Sequence, residues 1–331
     1  MIFNGIQSVN KVFVLCPAGY KTGGTELAHQ LVYELNQMKV ESYITYFSKE
    51  KNIRINNDFL CYVDSFLNLA DVEDRSENVV IAPETAVNLL DMFIKVQKCV
   101  WWMSVDNFIA SFCGIRGSLK AYGFRTTLGR LYGGMVKSYK LDKNYYNFYQ
   151  SEYARQYLER NGYQNRYRLS DYLNPVYFSS GNMPEERSDQ VIYNPQKGYA
   201  FTKKIIHASP DLTWIPIQKM SNKEVVHLLK KSKVYIDFGN HPGKDRIPRE
   251  AVISGCCVIT NKRGAAAFYE DIPIDDRFKF EEDQQNIPKI VREIRECMSD
   301  YPQKSEQFET YRKKIRGERK QFLSDIKDIF I

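Results

Sequence analysis

The stretch VYIDFGNHPGKDRIPREAVISGCCVITNKRGAAAF, Val234 to Phe268, predicts the fold of its half of the chain. It opens with a run of β-branched and aromatic residues, Val234 to Phe238, that has the length and composition of a buried strand. A Gly- and Pro-rich loop follows, and Pro248 fits the first turn of a helix that ends at Gly255. Cys256 to Thr260 is then a second buried strand. A strand, a helix and a strand in this order predict an α/β fold with a parallel sheet.

The loop after the first of these strands carries cations close to a helix start. Lys244 and Arg246 precede Pro248, and Arg249 and Glu250 follow it directly. A helix N-terminus presents unpaired backbone N–H groups and a partial positive charge, so it favours a bound phosphate. The pattern predicts an anion site, and the glycine at 264 would let the next loop approach the bound group closely.

The first half of the chain begins with a similar unit. Lys11 to Cys16 is a predicted strand, and a loop containing Gly23 and Gly24 connects it to a helix and then to a strand from Glu41 to Phe47. Paired glycines let the backbone approach a ligand at the carboxyl end of the first strand, where open α/β sheets bind their ligands. An ordinary tight turn would have the same composition.

Two carboxylates follow strands of the same predicted sheet. Glu84 comes after Val79 to Ala82, before a helix expected from Ala86 to Gln97, and Asp106 comes after Cys99 to Ser104. Both would lie at the edge that holds the glycine loop, because the carboxyl ends of parallel strands share one edge. A single carboxylate in this position is commonly a helix cap, whereas two at one edge favour a general base for an acceptor hydroxyl.

The segment from Phe108 to Lys140 contains six basic residues and no acidic one. We expect an insertion or a loop with short helices on the surface of the first domain. Residues 116–140 could contact an anionic bilayer or a lipid-linked acceptor. A solvated basic face over an ordinary core helix is equally compatible with the pattern.

Composition limits the class of protein. The 331 residues are 43% hydrophobic and 26% charged, which indicates two globular domains, and the net charge of +7 favours anionic partners. Seven scattered cysteines without a C-x-x-C pair argue against disulfides and zinc, and they favour the cytoplasm. Met1 to Asn10 lacks a basic region followed by an apolar core, and no run approaches the ~20 apolar residues of a membrane span, so we expect no signal peptide and only peripheral membrane contact. No nucleic-acid-binding module is recognisable, and nucleic acid is not an expected partner.

The domain boundary is expected near 170–188, because Arg166 to Glu186 is rich in Pro, Ser and Gly. We predict an N-terminal domain over 1–172, a C-terminal domain over 173–312, and a terminal helix over 313–331 that could pack on the N-terminal domain.

Three motifs resemble the GT-B-fold glycosyltransferases. The segment Pro248-x-Glu250-Ala, followed by Gly-Cys-x-Val-Ile-Thr, a basic residue and a glycine, resembles the donor-binding segment of that family. Lys197-Gly198, after the strand Gln190 to Tyr193, resembles the pair that contacts the donor diphosphate. Gly23-Gly24-Thr25-Glu26 resembles the Gly-Gly-x-Glu loop after the first strand. The resemblance implies two Rossmann-like domains facing each other across a cleft, with Glu250 on the ribose of a nucleotide-sugar.

The resemblance also implies an activity, namely transfer of a sugar from a nucleotide diphosphate-sugar to a hydroxyl of a saccharide or lipid-linked saccharide. It points to bacterial surface polysaccharide synthesis, in the cytoplasm or at the inner face of the membrane. No cofactor is expected besides the donor substrate, and the lack of an Asp-x-Asp triplet fits an enzyme that needs no metal. The expected substrate contacts are Gly23, Gly24, Thr25, Glu26, Lys197, Gly198, Lys244, Arg246, Arg249, Glu250 and Gly264.

The stereochemical course depends on one departure from the family pattern. Retaining members carry a Glu eight residues before the position of Glu250, where this chain has Pro242 with His241 beside it. An inverting reaction is therefore favoured, with Asp106 as base and Glu84 as the second choice. His241 would stand in for the missing carboxylate in a retaining reaction. Two alternatives remain. The first is a nucleotide-sugar 2-epimerase, which is less favoured because the chain has only four histidines and such an enzyme needs groups that transfer protons. The second is a non-catalytic subunit that binds a nucleotide-sugar or recruits a partner.

Overall fold

The computed structural model of the chain describes residues 9–48, 53–178 and 186–331. It divides into two compact units, of which the first comprises Met1–Asp171 and Lys320–Ile331 and the second comprises Tyr172–Arg319. Residues 179–185, which belong to the linker expected between Arg166 and Glu186, lie outside the described residues.

The first unit contains a parallel sheet. Its strands are β1 (Val12–Pro17), β2 (Ser42–Phe47), β3 (Leu67–Asn68), β4 (Val79–Pro83), β5 (Gln97–Trp102), β6 (Tyr146–Tyr149) and β7 (Arg166–Arg168). Their order is β3-β2-β1-β4-β5-β6-β7, and each described pair is parallel. The helices are α1 (Gly23–Gln37), α2 (Val105–Phe112), α3 (Gly114–Tyr132) and α4 (Glu152–Arg160). Strands β1, β4 and β5 are almost continuously apolar because both faces of the sheet are covered, and they form the core of this unit.

The second unit contains a smaller parallel sheet. Its strands are β8 (Ser188–Tyr193), β9 (Thr213–Pro216), β10 (Ser232–Asp237), β11 (Cys257–Asn261) and β12 (Lys279–Phe280). In the described residues their order is β12-β11-β10-β8-β9, so β10 is central and β9, which ends in a proline, is an edge strand. The helices are α5 (Tyr199–Ala208), α6 (Asn222–Lys231), α7 (Arg246–Ile253), α8 (Ile287–Ser299), α9 (Tyr301–Glu306) and α10 (Glu309–Phe330), of which α10 belongs to this unit only as far as Arg319.

These two parallel sheets with their helices confirm the predicted α/β class. Ser221 and Glu224 form a capping box at the start of α6. Among the described residues, none of the helices combines the length and the apolar character that crossing a bilayer requires.

The expected helix from Ala86 to Gln97 is wrong. The chain forms a 3₁₀ segment over Glu84–Met92 and is already in β5 at Gln97. The carboxylate of Asp74 accepts the backbone N–H groups of residues 94, 95 and 96 at 2.8 to 3.0 Å. These bonds hold the connection in an extended conformation, because Asp74 supplies the hydrogen-bond acceptors that the carbonyl groups of a helix would otherwise provide.

The paired glycines do not form a loop as expected. Gly23 and Gly24 are the first residues of α1, because Thr22 accepts the backbone N–H of Thr25 and the two threonines form a reciprocal capping box.

Candidate functional site

At the carboxyl edge of the second sheet, the loops after β8 and β10 pack directly against each other. Gly198 has φ +60° and precedes α5. A Cβ at this position would collide with the carbonyl oxygen of Phe238 and would lie 2.6 Å from the backbone nitrogen of Gly239. A Cβ at Gly239 would in turn lie 2.6 Å from the Cβ of Lys197. Both positions require glycine, because backbone atoms of the facing loop fill the space beside Gly198 and the Cβ of Lys197 fills the space beside Gly239.

A third loop, after β11, joins the same edge. Gly264 has φ +53°, and a Cβ there would collide with the carbonyl oxygen of His241. The backbone N–H of Ala265 donates to that oxygen at 2.8 Å. Asn261, at the end of β11, donates from Nδ2 to the carbonyl oxygen of Gly239 at 2.7 Å. The three loops therefore form one backbone surface beside the starts of α5 and α7.

A buried network of charged groups supports this surface. Lys197 Nζ lies 2.9 Å from Asp245 Oδ1, and His241 Nδ1 lies 3.0 Å from Asp245 Oδ2. The other ring nitrogen, Nε2, lies 3.8 Å from Asp237 Oδ1. Asp237 also accepts the hydroxyl of Tyr235 at 2.7 Å and the N–H of Gly239 at 2.9 Å. The network links the end of β10 to the start of α7.

The two carboxylates set the ionisation of His241. Complete burial opposes the charged imidazolium, but Asp237 and Asp245 outweigh that effect and raise the pKa of His241 above its usual value. Burial also opposes the charged form of Asp245, yet Lys197 and His241 hold the pKa of Asp245 below its usual value. The charged form of His241 is therefore more favoured than that of an ordinary histidine.

The same three side chains could hold a metal ion, since ligand atoms from Asp237, His241 and Asp245 lie within 4.8 Å of one another. Carboxylate oxygen and imidazole nitrogen are suitable ligands for a divalent metal. The ammonium group of Lys197 already contacts Asp245, and Asp237 already accepts two hydrogen bonds. A metal would have to compete with these donors, and independence of metal remains a prediction.

Two of the expected diphosphate contacts are joined by a residue of α10. Glu318 lies 2.9 Å from Lys244 Nζ and 2.8 Å from Arg249 NH1, and at most 9% of any of these three side chains is exposed. Arg249 is fully buried and also donates to the carbonyl oxygens of Lys244 and Asp245, at 3.2 Å each. Its guanidinium thus fixes the loop that leads into α7. Arg246 is the first residue of α7, and Glu250 lies one turn further with 7% of its surface exposed.

In the first unit, the structure brings the start of α1 near Glu84. A Cβ at Gly24 would lie 3.5 Å from Met103 Sδ, and the backbone N–H of Met103 donates to Glu84 Oε2 at 3.1 Å. The other two residues of the Gly23-Gly24-Thr25-Glu26 motif also have partners within this unit. Thr25 is buried and forms the capping box with Thr22, and Glu26 accepts the hydroxyl of Tyr62 at 3.0 Å.

The two candidate bases differ in environment. Burial raises the pKa of Glu84 to about 8, although backbone N–H groups of Met103 and Ser104 act in the opposite direction. Glu84 is therefore mostly neutral at pH 7. Asp106 is the second residue of α2, and its Oδ1 accepts the hydroxyl of Tyr153 at 2.7 Å. That hydrogen bond holds the Asp106 carboxylate in one orientation in the first turn of α2.

No protein-family model matches the chain, and no curated protein sequence matches it either. Solved structures do match. A glycosyltransferase from Rickettsia africae is 13% identical with a TM-score of 0.62, over 98% of each chain. Anabaena HepE, in complex with UDP-glucose, is 11% identical with a TM-score of 0.59, over 96% of this chain and 98% of its own. These matches decide the fold. The chain has the fold of the GT-B glycosyltransferases.

A third solved structure with this fold is longer than the chain. A mutant of Staphylococcus aureus TarM, in complex with fondaparinux, alpha-GlcNAc-glycerol and UDP, is 11% identical with a TM-score of 0.52. The match covers 78% of this chain and 56% of TarM, so the chain spans little more than half of TarM's length.

Sequence reasoning missed three residues that organise the loops at the carboxyl edge of the second sheet. Asp237 and Asp245 flank His241 at a spacing of four residues on each side, which is a weak signal within a loop. Glu318 lies 69 residues beyond Arg249 on a helix rich in charge, and nothing in its surroundings distinguishes it from solvent-exposed acids. Its pairing with Lys244 and Arg249 is visible only in the folded unit.

Proposed function

We propose that the chain is a glycosyltransferase that moves a sugar from a nucleoside diphosphate-sugar to a hydroxyl of a saccharide or lipid-linked saccharide. The observation that carries the proposal is the surface formed by the three loops after β8, β10 and β11. Glycines at 198, 239 and 264 clear it of side chains, and Lys197, Lys244 and Arg246 bring positive charge to it. UDP-glucose in HepE and UDP in TarM are consistent with this type of donor.

On the donor side, each residue would have a separate task. Lys197 and Arg246, with the backbone N–H groups at the start of α7, would bind the diphosphate, and Glu250 would bind the ribose. Positive charge on the diphosphate stabilises the leaving group as the bond to the sugar breaks, which supplies the stabilisation a metal would otherwise give. Lys244 would add charge, whereas the buried Arg249 would position the loop.

On the acceptor side, we propose Asp106 as the base that removes the proton from the attacking hydroxyl in an inverting reaction. Asp106 is favoured over Glu84 because Glu84 is mostly protonated at neutral pH. Gly23 and Gly24 would let the acceptor approach the first turn of α1. His241 is fully buried, so it would act through Asp245 on Lys197 and would not touch the sugar.

The setting of the reaction is part of the proposal. Free cysteines at all seven positions suit a reducing cytoplasm. A role in bacterial surface polysaccharide synthesis is consistent with TarM, whose complex contains alpha-GlcNAc-glycerol.

Ligand-induced thermal stabilisation tests the donor site directly. Purified protein would be melted with UDP, GDP, ADP and their sugar conjugates, with and without EDTA. A ligand at 100 times its Kd stabilises the folded state by about 2.7 kcal/mol, which raises Tm by roughly 5–11 °C for a unit of this size. We expect one nucleotide to produce this shift in EDTA, and Lys197→Ala and Arg246→Ala to abolish it.

Lys203→Ala is the matched control, because Lys203 is exposed on α5 six residues after Lys197. It should keep the full shift. Absence of a shift with every nucleotide would refute the donor assignment. A shift without release of nucleoside diphosphate over a panel of saccharide acceptors would favour a non-catalytic nucleotide-sugar-binding subunit.

A further inference from the structure

Helix α3 is a helical hairpin. The hydroxyls of Ser118 and Thr127 lie 3.0 Å apart, although nine residues of a straight helix would separate them by about 13.5 Å. Gly123, with φ +73° and ψ 178°, reverses the chain between the two arms. We call Gly114–Tyr132 the α3 hairpin.

The base of the α3 hairpin is closed by backbone hydrogen bonds. The N–H of Gly114 donates to the carbonyl oxygen of Lys137 at 2.9 Å, and the N–H of Lys137 donates to that of Ser111 at 2.6 Å. Cys113 and Ser138 form an antiparallel bridge. The chain therefore leaves the first unit and returns to it at one point.

The α3 hairpin places small residues inside and large apolar residues outside. Its buried residues are Gly117, Ser118 and Thr127. Phe124 is 73% exposed and Tyr132 is 88% exposed. The other large apolar residues exposed in the hairpin are Ile115, Leu119, Leu128 and Leu131. A helix folded only for solvent would have the opposite arrangement.

The exposed apolar residues of the second arm form one stripe. Phe124, Leu128 and Leu131 recur at intervals of three or four residues, which places them on the same face of the helix. Contiguous exposed apolar surface of this kind marks an interaction site.

Positive charge surrounds the stripe. Arg116, Lys120 and Arg125 are exposed, and no acidic residue occurs from Asn107 to Leu141. Arg130 is held within the hairpin, since it donates to Ser111 Oγ at 2.9 Å and lies over the ring of Tyr122. The surface is therefore both apolar and cationic.

We propose that the α3 hairpin binds the surface of an anionic phospholipid bilayer. Its apolar stripe enters the boundary between headgroups and acyl chains, and Arg116, Lys120 and Arg125 contact lipid phosphates. A nucleic acid would satisfy the cations but would leave the exposed Phe and Leu side chains without an apolar partner. A second copy of the chain bound through the same surface would be disfavoured, because two cationic surfaces would repel each other.

Co-sedimentation with vesicles tests the proposal, using full-length protein and no substrate. We expect binding to vesicles of equal parts phosphatidylcholine and phosphatidylglycerol, no binding to phosphatidylcholine alone, and release at high salt. The triple variant R116Q/K120Q/R125Q should bind on the order of 100-fold more weakly, at about five-fold for each charge. Phe124→Ser with Leu128→Ser should weaken binding by at least about 10-fold.

Ile94→Ser and Lys95→Gln serve as controls, because both residues are exposed in the first unit outside the α3 hairpin. Neither change should alter binding, and unchanged thermal melting of every variant would show that the fold is intact. Failure to bind the anionic vesicles would overturn the proposal. So would binding that the hairpin variants leave unchanged, a dimer that Phe124→Ser dissociates, or tighter binding to duplex DNA than to the vesicles.

Discussion

The close approach of the loops after β8 and β10 leads to a quantitative prediction for Gly198→Ala. The new methyl group would have φ +60°, which costs a non-glycine residue about 1–2 kcal/mol. It would also meet backbone atoms of Phe238 and Gly239, so one loop would have to move. Forced overpacking costs about 1–3 kcal/mol. The free energy of unfolding should fall by about 2–5 kcal/mol, which lowers Tm by roughly 4–20 °C.

Thermal denaturation followed by circular dichroism measures this effect, and two glycines separate its causes. Gly317 is exposed in α10, and a methyl group added there would have no atom within 4 Å, so Gly317→Ala should stabilise by about 0.5–1 kcal/mol. Gly114 has φ +66° but open space, so Gly114→Ala should show the backbone cost alone. If Gly198→Ala melted like Gly114→Ala, the two loops would not be in contact as described, and the basis for the donor surface would be lost.

Three further predictions concern buried charge. Glu318→Gln should lower the free energy of unfolding, measured by chemical denaturation, by about 3–5 kcal/mol, because Lys244 and Arg249 lose a buried counter-charge. The control is Glu309→Gln, an exposed ion-pair residue of the same helix, which should cost less than about 1 kcal/mol. The contribution of His241 to stability should be complete below its ordinary pKa and lost as pH rises through its raised pKa, so unfolding measured across pH should show a decline that His241→Gln lacks. Because Glu84 has a pKa of about 8, the free energy of unfolding should also fall between roughly pH 4.5 and 8, by up to about 5 kcal/mol. A Glu84→Gln variant that kept this decline with pH would contradict the assignment.

The strands of both sheets were predictable because parallel strands buried on two faces are continuous apolar runs. Val79 to Ala82 and Val234 to Phe238 are examples, and both are strands to within two residues. The connection before β5 was not predictable in this way. Its apolar residues have helical spacing, but Asp74 satisfies the amides of Ile94 to Val96 from a distant point in the chain.

The sequence by itself determined the α/β class, the principal strands of both sheets, and the glycine-containing, cationic loop that follows β10. These properties depend on neighbours along the chain, which local composition records. Only the tertiary structure decided that Glu318 binds Lys244 and Arg249, that His241 lies between Asp237 and Asp245, and that the apolar residues of the α3 hairpin face outward. Burial and ion pairing join groups that are distant in sequence, and a pattern of residue types does not specify which side of a helix the rest of the unit will cover.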